Sequence, residues 1–249
     1  MLPSPRLVWD LPVRLFHWLL AASVVGAFVT NKLGVAWFSW HAWFGYAVIV
    51  LVSFRLVWGV VGTRHARFAS FVRGPAAILA YLRGGAPATP GHNPLGALMV
   101  LALLAGLLTL AALGLFGNDD IINTGPLAGY VGKETSLLLT SYHRRLFYGI
   151  AAAVAVHVLA VLAHRVVKGE NLVLPMITGR KPVADADTIP SSRPWLALTL
   201  VLVLAGALVL GADPCAGGRR RCLRLIPLLR PNKKGGRPAG RPLIVFRPG

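Results

Sequence analysis

The sequence predicts an all-α membrane protein: a bundle of four spanning helices with a fifth helix towards the C-terminus. Three observations predict it. Of the 249 residues, 55% are hydrophobic and only 14% are charged, with a mean hydropathy of +0.64, whereas a soluble domain carries about 25% charged residues. Apolar runs of bilayer-crossing length, about 17–25 residues, recur along the chain. Within or beside those runs lie histidines whose depths match in pairs.

The first span is placed at Arg14–Thr30. It follows a charged start, "SPRLVWDLPVR", but the mixed charge and the lack of a small-residue cleavage site after Thr30 mark a retained helix rather than a leader. The next spans are His41–Val61, Leu95–Phe116 and Tyr142–His164, and the fifth and shortest is Trp195–Gly211. Lys and Arg in short loops stay on the cytoplasmic side. Arg6 and Arg14 lie at the start, and Arg64, Arg67, Arg73 and Arg83 fill Gly62–Pro94 without an acid. Arg165, Lys168, Arg180 and Lys181 follow the fourth span. The alternate loops are poorer: Asn31–Trp40 has Lys32, and Gly117–Ser141 sets Lys133 against Asp119, Asp120 and Glu134. The N-terminus and the basic loops are therefore expected in the cytoplasm.

Residues 213–249 carry ten Lys/Arg, one acid and both cysteines, Cys215 and Cys222. Removing that tail lowers the net charge from +18 to +9. Its Gly/Pro/Arg-rich composition reads as a disordered extension, or as the product of a reading-frame change near Asp213. Nucleic-acid binding is not expected of it.

Ionisable side chains inside spans mark function. In "SYHRRLFYGIAAAVAVHVLAVLAHR", His143 and His157 are fourteen residues apart. On an α-helix their directions differ by about 40° and their heights by about 21 Å. One helix thus offers an imidazole near each membrane face, and each needs a partner at its own level. His17, near the start of the first span, matches the depth of His157; His41, opening the second, matches His143. Paired neutral imidazoles on facing helices suit the two axial places of a haem iron. Zinc wants three or four ligands at one height, and the spans contain no cysteine. The chain has no Cys-x-x-Cys-His, which excludes covalent c-type attachment. For any single histidine a hydrogen-bonded structural role is the plain reading; four matched at two levels fit that reading poorly. His65 and His92 fall in the long basic loop, where a solvated role is expected. His164 either meets a quinone head group or rests in the headgroup layer.

Arg55 lies fourteen residues after His41, so it shares its face and reaches the level of the inner pair. A cation at that depth needs an anion, and a haem propionate would serve. Arg14, Arg144 and Arg145 lie near one level or the other, with snorkelling to the interface as the plain alternative. A different class of function, a small transporter or proton-conducting protein using His157 and Arg55 as a polar relay, fits the same residues. So does a haem-free membrane anchor for a redox subunit.

The stretches "VWDLPVRLFHWLL", "HAWFGY", "FRLVWGVVGTRHARFASF", "GHNPLGALMV" and "GENLVLPMITGRK" resemble the bacterial cytochrome b561 and nickel-hydrogenase b-type cytochrome family, over about Leu7–Lys181. The resemblance implies a four-helix membrane bundle with two non-covalent b haems, their axial ligands falling on His17, His41, His143 and His157. It implies electron transfer between the quinone pool and a redox partner such as a cytochrome c or an oxidoreductase or hydrogenase subunit. Quinol or quinone oxidoreductase activity at one face would be its enzymatic form. The implied location is the bacterial inner membrane, in contact with lipid. Many relatives carry a Glu after the first ligand of the fourth helix; Arg144 stands there instead, so no proton-carrying role transfers to that site. The expected organisation is a di-haem domain at 7–183, a linker at 184–194, a fifth helix at 195–211 and the basic tail at 212–249.

Overall fold

A computed structural model of the chain describes residues 5–84, 91–183 and 187–211; the basic tail and its two cysteines lie outside the described residues. A short strand β1 (Pro5–Leu7) precedes α1 (Leu11–Lys32). Asp10 caps α1, its side chain accepting the Val13 N–H at 2.7 Å, and Pro12 sits in the first turn, where no amide partner is missed. After α1, Gly34 adopts φ 97°, a conformation open to glycine, and a 3-10 turn at Val35–Trp37 leads into α2 (Phe38–Val61). Two short helices follow, α3 (Phe68–Phe71) and α4 (Pro75–Leu82). Asn93 caps α5 (Pro94–Leu115), accepting the Gly96 N–H at 2.6 Å. Next come α6 (Lys133–Val167), α7 (Val173–Thr178), β2 (Arg180–Pro182) and α8 (Pro194–Gly211).

Among the described residues, five helical segments are long and apolar enough to cross a membrane: Leu11–Lys32, Val35–Val61, Pro94–Leu115, Lys133–Val167 and Pro194–Gly211. Their bounds follow the expected spans except for α6, which starts at Lys133 rather than Tyr142. The added turns, "KETSLLLTS", carry charge and so fail a hydropathy reading, yet nothing in them breaks a helix. Glu134 in the first turn favours the positive helix end. Ser136 is buried there and donates to the Phe116 carbonyl at 2.7 Å, which pins the extension to the end of α5.

α1 packs on α2, α5 on α6 and α2 on α5, while α8 lies against α2 and touches α1. The core joins Val13 and Phe16 of α1 to Val48, Val52, Phe54 and Trp58 of α2, with Leu104 and Leu107 of α5, Ile150 of α6 and Ala197 of α8. Close approach depends on small residues: a Cβ on Gly26 would enter the Phe44 ring and one on Gly59 the Phe68 ring. Several hydroxyls in the spans bond to their own helix: Ser23 donates to Leu19 O at 2.8 Å, Thr30 to Gly26 O and Thr199 to Trp195 O, so they need no partner from lipid.

At the end of the bundle where α1 begins, β1 and β2 pair antiparallel with Arg6 opposite Lys181. The Gly179 carbonyl accepts the N–H groups of Val8 and Trp9 at 2.9 and 3.1 Å. The segment expected as a linker is packed in its described part. Ile189 is buried and donates its N–H to Leu7 O, and the Ser192 hydroxyl accepts the Leu11 N–H. This end, which carries the Arg-rich connection after α2, is the basic end; the opposite one is the far end.

Candidate functional site: two facing histidine pairs

α6 carries His157 towards the basic end and His143 towards the far end. At the basic end His157 faces His17 of α1, with ring centres 6.4 Å apart and planes at 56°. At the far end His143 faces His41, in the first turn of α2, with ring centres 6.1 Å apart and planes at 85°. A direct N–H···N bond of about 2.9 Å would draw the centres to about 5 Å. Two imidazoles sharing one metal through bonds of about 2 Å put their centres about 6 Å apart. Both pairs show the second spacing. Among the described residues no three His, Cys, Asp or Glu side chains cluster for a metal ion, so the imidazoles stand as pairs.

All four of the first spans build the far-end pair. The Nδ1–H of His41 donates to Ala27 O of α1 at 2.9 Å, and that of His143 to Leu110 O of α5 at 2.8 Å. A carbonyl can only accept, so both rings are held with Nε2 as the lone-pair nitrogen. A cavity of about 310 Å³ opens beside them, lined by His41, Gly45, Tyr46, Gly114, His143 and Arg144. A Cβ on Gly45 would meet nothing within 4 Å, and one on Gly114 would stand 3.2 Å from the His143 ring. The cavity rim includes Asn118, Asp119 and Asn123. The Asp119 carboxylate accepts the N–H groups of Ile121, Asn123 and Ile122 and the Asn123 side-chain amide, and these bonds hold it down at about 2.

The basic-end pair is supported differently. His17 Nδ1 is buried with no hydrogen-bond partner among the described residues. Arg55 is 2% exposed, and neither of its Nη atoms has a hydrogen-bond partner there. Its guanidinium lies over the Phe68 ring at 4.9 Å and the Phe71 ring at 6.0 Å. Stacking on aromatic faces does not use the N–H fork. Orphaned charged donors in an apolar wall are costly, so this arrangement suits an anionic group brought to it.

The remaining expectations sort by geometry. His65 and His92 are not solvated. His65 is buried and its Nε2 donates to Asp187 O at 2.7 Å, while His92 packs against Trp9 and Phe71 with ring centres 4.8 and 4.7 Å away. Burial, followed by the nearby Arg55 charge, pushes the His92 imidazole down to about 3, so it is neutral. A hydropathy reading misses both residues because the loop folds back under the bundle. Arg14 donates to Ile177 O and so anchors α7. Arg144 and Arg145 are exposed, with Arg144 at the far-end cavity. His164 joins a polar staple: its Nδ1 donates to Ala160 O, its Nε2 lies 3.5 Å from Asn93 Nδ2, and Asn93 and Lys168 both donate to the Tyr81 hydroxyl. Asp10 was not singled out by sequence reasoning. An aspartate directly before "LP" at the opening of a span is the available signal, that of a helix cap. For the carbonyls of Ala27 and Leu110 no signal exists, because any residue supplies one.

In comparison with known families, residues 8–179 match the family described as prokaryotic cytochrome b561. Comparisons with curated proteins and with solved structures return no match. The matched segment begins just after β1, takes in His17, His41, His143 and His157, and ends at the turn before β2. This multi-pass helical chain therefore belongs to the prokaryotic cytochrome b561 family, membrane proteins of electron transfer that bind b-type haem.

Proposed function

We propose that the chain carries electrons across the membrane by way of two b haems, one between His17 and His157 and one between His41 and His143. The observation that carries this reading is the repeated ring spacing, 6.4 and 6.1 Å, at the two ends of one helix. Haem iron supplies a one-electron change at constant ligation. The protein supplies the rest. Nε2 of His41 and of His143 would be the ligating atom at the far end, because the Ala27 and Leu110 carbonyls take the Nδ1–H of those rings and orient them. Arg55 offers its two open Nη groups to a propionate at the basic end. Arg14 and Arg144, the other cofactor-binding candidates, stand beside the basic-end and far-end pairs; Arg14 is already engaged with α7, and Arg144 has the freer approach to a propionate. About 21 Å of α6 separates the two imidazoles it contributes, so the pairs bridge much of the bilayer.

The basic end faces the cytoplasm in this reading, since the loops there are rich in Arg and Lys. Electrons are exchanged between the quinone pool and a redox partner protein, a cytochrome c or an oxidoreductase or hydrogenase subunit. A dithionite-reduced-minus-oxidised spectrum of membranes holding this chain, with a pyridine-haemochrome count, tests the proposal. Two b haems per chain are expected. No b-type bands would leave the polar-relay transporter in its place, and a count of one would remove one histidine pair.

A further inference from the structure

Asp10 is 1% exposed and its carboxylate takes donors from three elements. The Val13 N–H of α1 donates at 2.7 Å, the Trp58 indole N–H of α2 at 3.0 Å, and the Thr63 hydroxyl beyond α2 closes the set. A helix cap alone needs only one such bond, and Ser or Thr would supply it at no cost in charge. Taking a carboxylate fully out of water is expensive unless the charge is compensated. Arg55 is the buried cation nearby, one turn before Trp58 on α2, and the two charges act on each other. They share no bond: the Asp10 oxygens accept from Val13, Trp58 and Thr63, and the Arg55 Nη atoms have no hydrogen-bond partner among the described residues. This is a separated pair, in which Asp10 offsets the charge of Arg55 without occupying its donors.

We infer that Asp10 is a positioning residue of the basic-end redox centre, holding Trp58 and the Arg55 turn in register while its negative charge lowers the electron affinity that Arg55 raises. The inference rests on the proposed haem between His17 and His157. Reduction adds one electron at that centre, so a fixed cation favours the reduced form and a fixed anion the oxidised one. With both present, the orphaned Arg55 fork is available to an anion at little net charge.

The test is redox titration of the full-length protein with the haem count measured on the same samples. In Asp10→Asn, which keeps the shape and an acceptor for Val13, the basic-end centre should become easier to reduce by about tenfold at fixed poise. Tenfold is the size of effect that a unit charge would have from about 12 Å at an effective dielectric of about 20, equivalent to about 59 mV for one electron. The far-end centre should not shift. Asp10→Glu, which keeps the charge, should titrate like the parent. Should Asp10→Asn fail to assemble, Asp10→Asn/Arg55→Gln measured against Arg55→Gln reads the same Asp10 charge difference with the Arg55 cation absent from both. Two haems with an unshifted basic-end midpoint overturn the role of Asp10, as do equal midpoints in the Asn and Glu variants. A parent protein lacking the basic-end haem overturns the underlying haem reading instead, so the two failures are distinct.

Discussion

At the far end, His41 and His143 each spend a ring N–H on a main-chain carbonyl, one from α1 and one from α5. At the basic end, the matching nitrogen of His17 has no such partner among the described residues, and the surroundings are a guanidinium on phenyl rings, a neutral imidazole and a buried carboxylate. The spacing of the two pairs is nearly the same; the means of holding it differ. Backbone carbonyls orient a ring without adding charge, and no side-chain replacement removes them. Side-chain charges act at longer range and each can be deleted singly. The far end is therefore a preset socket. In the proposed haem reading the basic end is a tunable one, in which the charges of Arg55 and Asp10 would adjust the centre's properties.

The largest expected effect breaks the pairs themselves. Replacing His41 or His143 with Ala should each remove the same haem, and replacing His17 or His157 the other, so pyridine-haemochrome counts fall from two per chain to one in all four variants. Counts that stay at two would dissolve the pairing. A narrower test addresses the far-end socket alone. Gly45→Leu would project into the open side of the 310 Å³ cavity and should displace the far-end haem in most molecules while the basic-end spectrum persists. Loss of both haems would mean the two sockets fold as one unit.

A smaller effect sharpens the contrast in tuning. Arg55→Leu should retain both haems and make the basic-end centre harder to reduce by about tenfold. In a potentiometric titration a shift confined to the far-end midpoint would place Arg55 at the wrong level.

Much of this architecture was legible in the one-dimensional pattern. Bilayer thickness sets the length of an apolar run, so four of the five helices could be bounded from hydropathy to within a turn. Helical period and rise place His143 and His157 on one face at two heights, and the same arithmetic puts Arg55 on the face of His41. These are local regularities, and one strand of sequence carries them completely. The charged opening of α6 was not legible, because hydropathy reports what lipid tolerates and not where a helix begins. The burial of His65 and the packing of His92 between aromatic rings were not legible either, since an Arg-rich loop reads as solvated until α3, the Asp187–Ile189 segment and Trp9 close around it.

By itself, then, the sequence determined the membrane class, the spans and the two levels of imidazole, since each follows from composition and period along a single helix. Only the tertiary structure decided which groups orient and charge those imidazoles. Asp10 meets Trp58 and Thr63 across 48 and 53 residues of chain, and His143 meets the Leu110 carbonyl across 33. Such contacts depend on how helices pack, and a carbonyl that every residue possesses leaves no mark in the sequence until packing aims it.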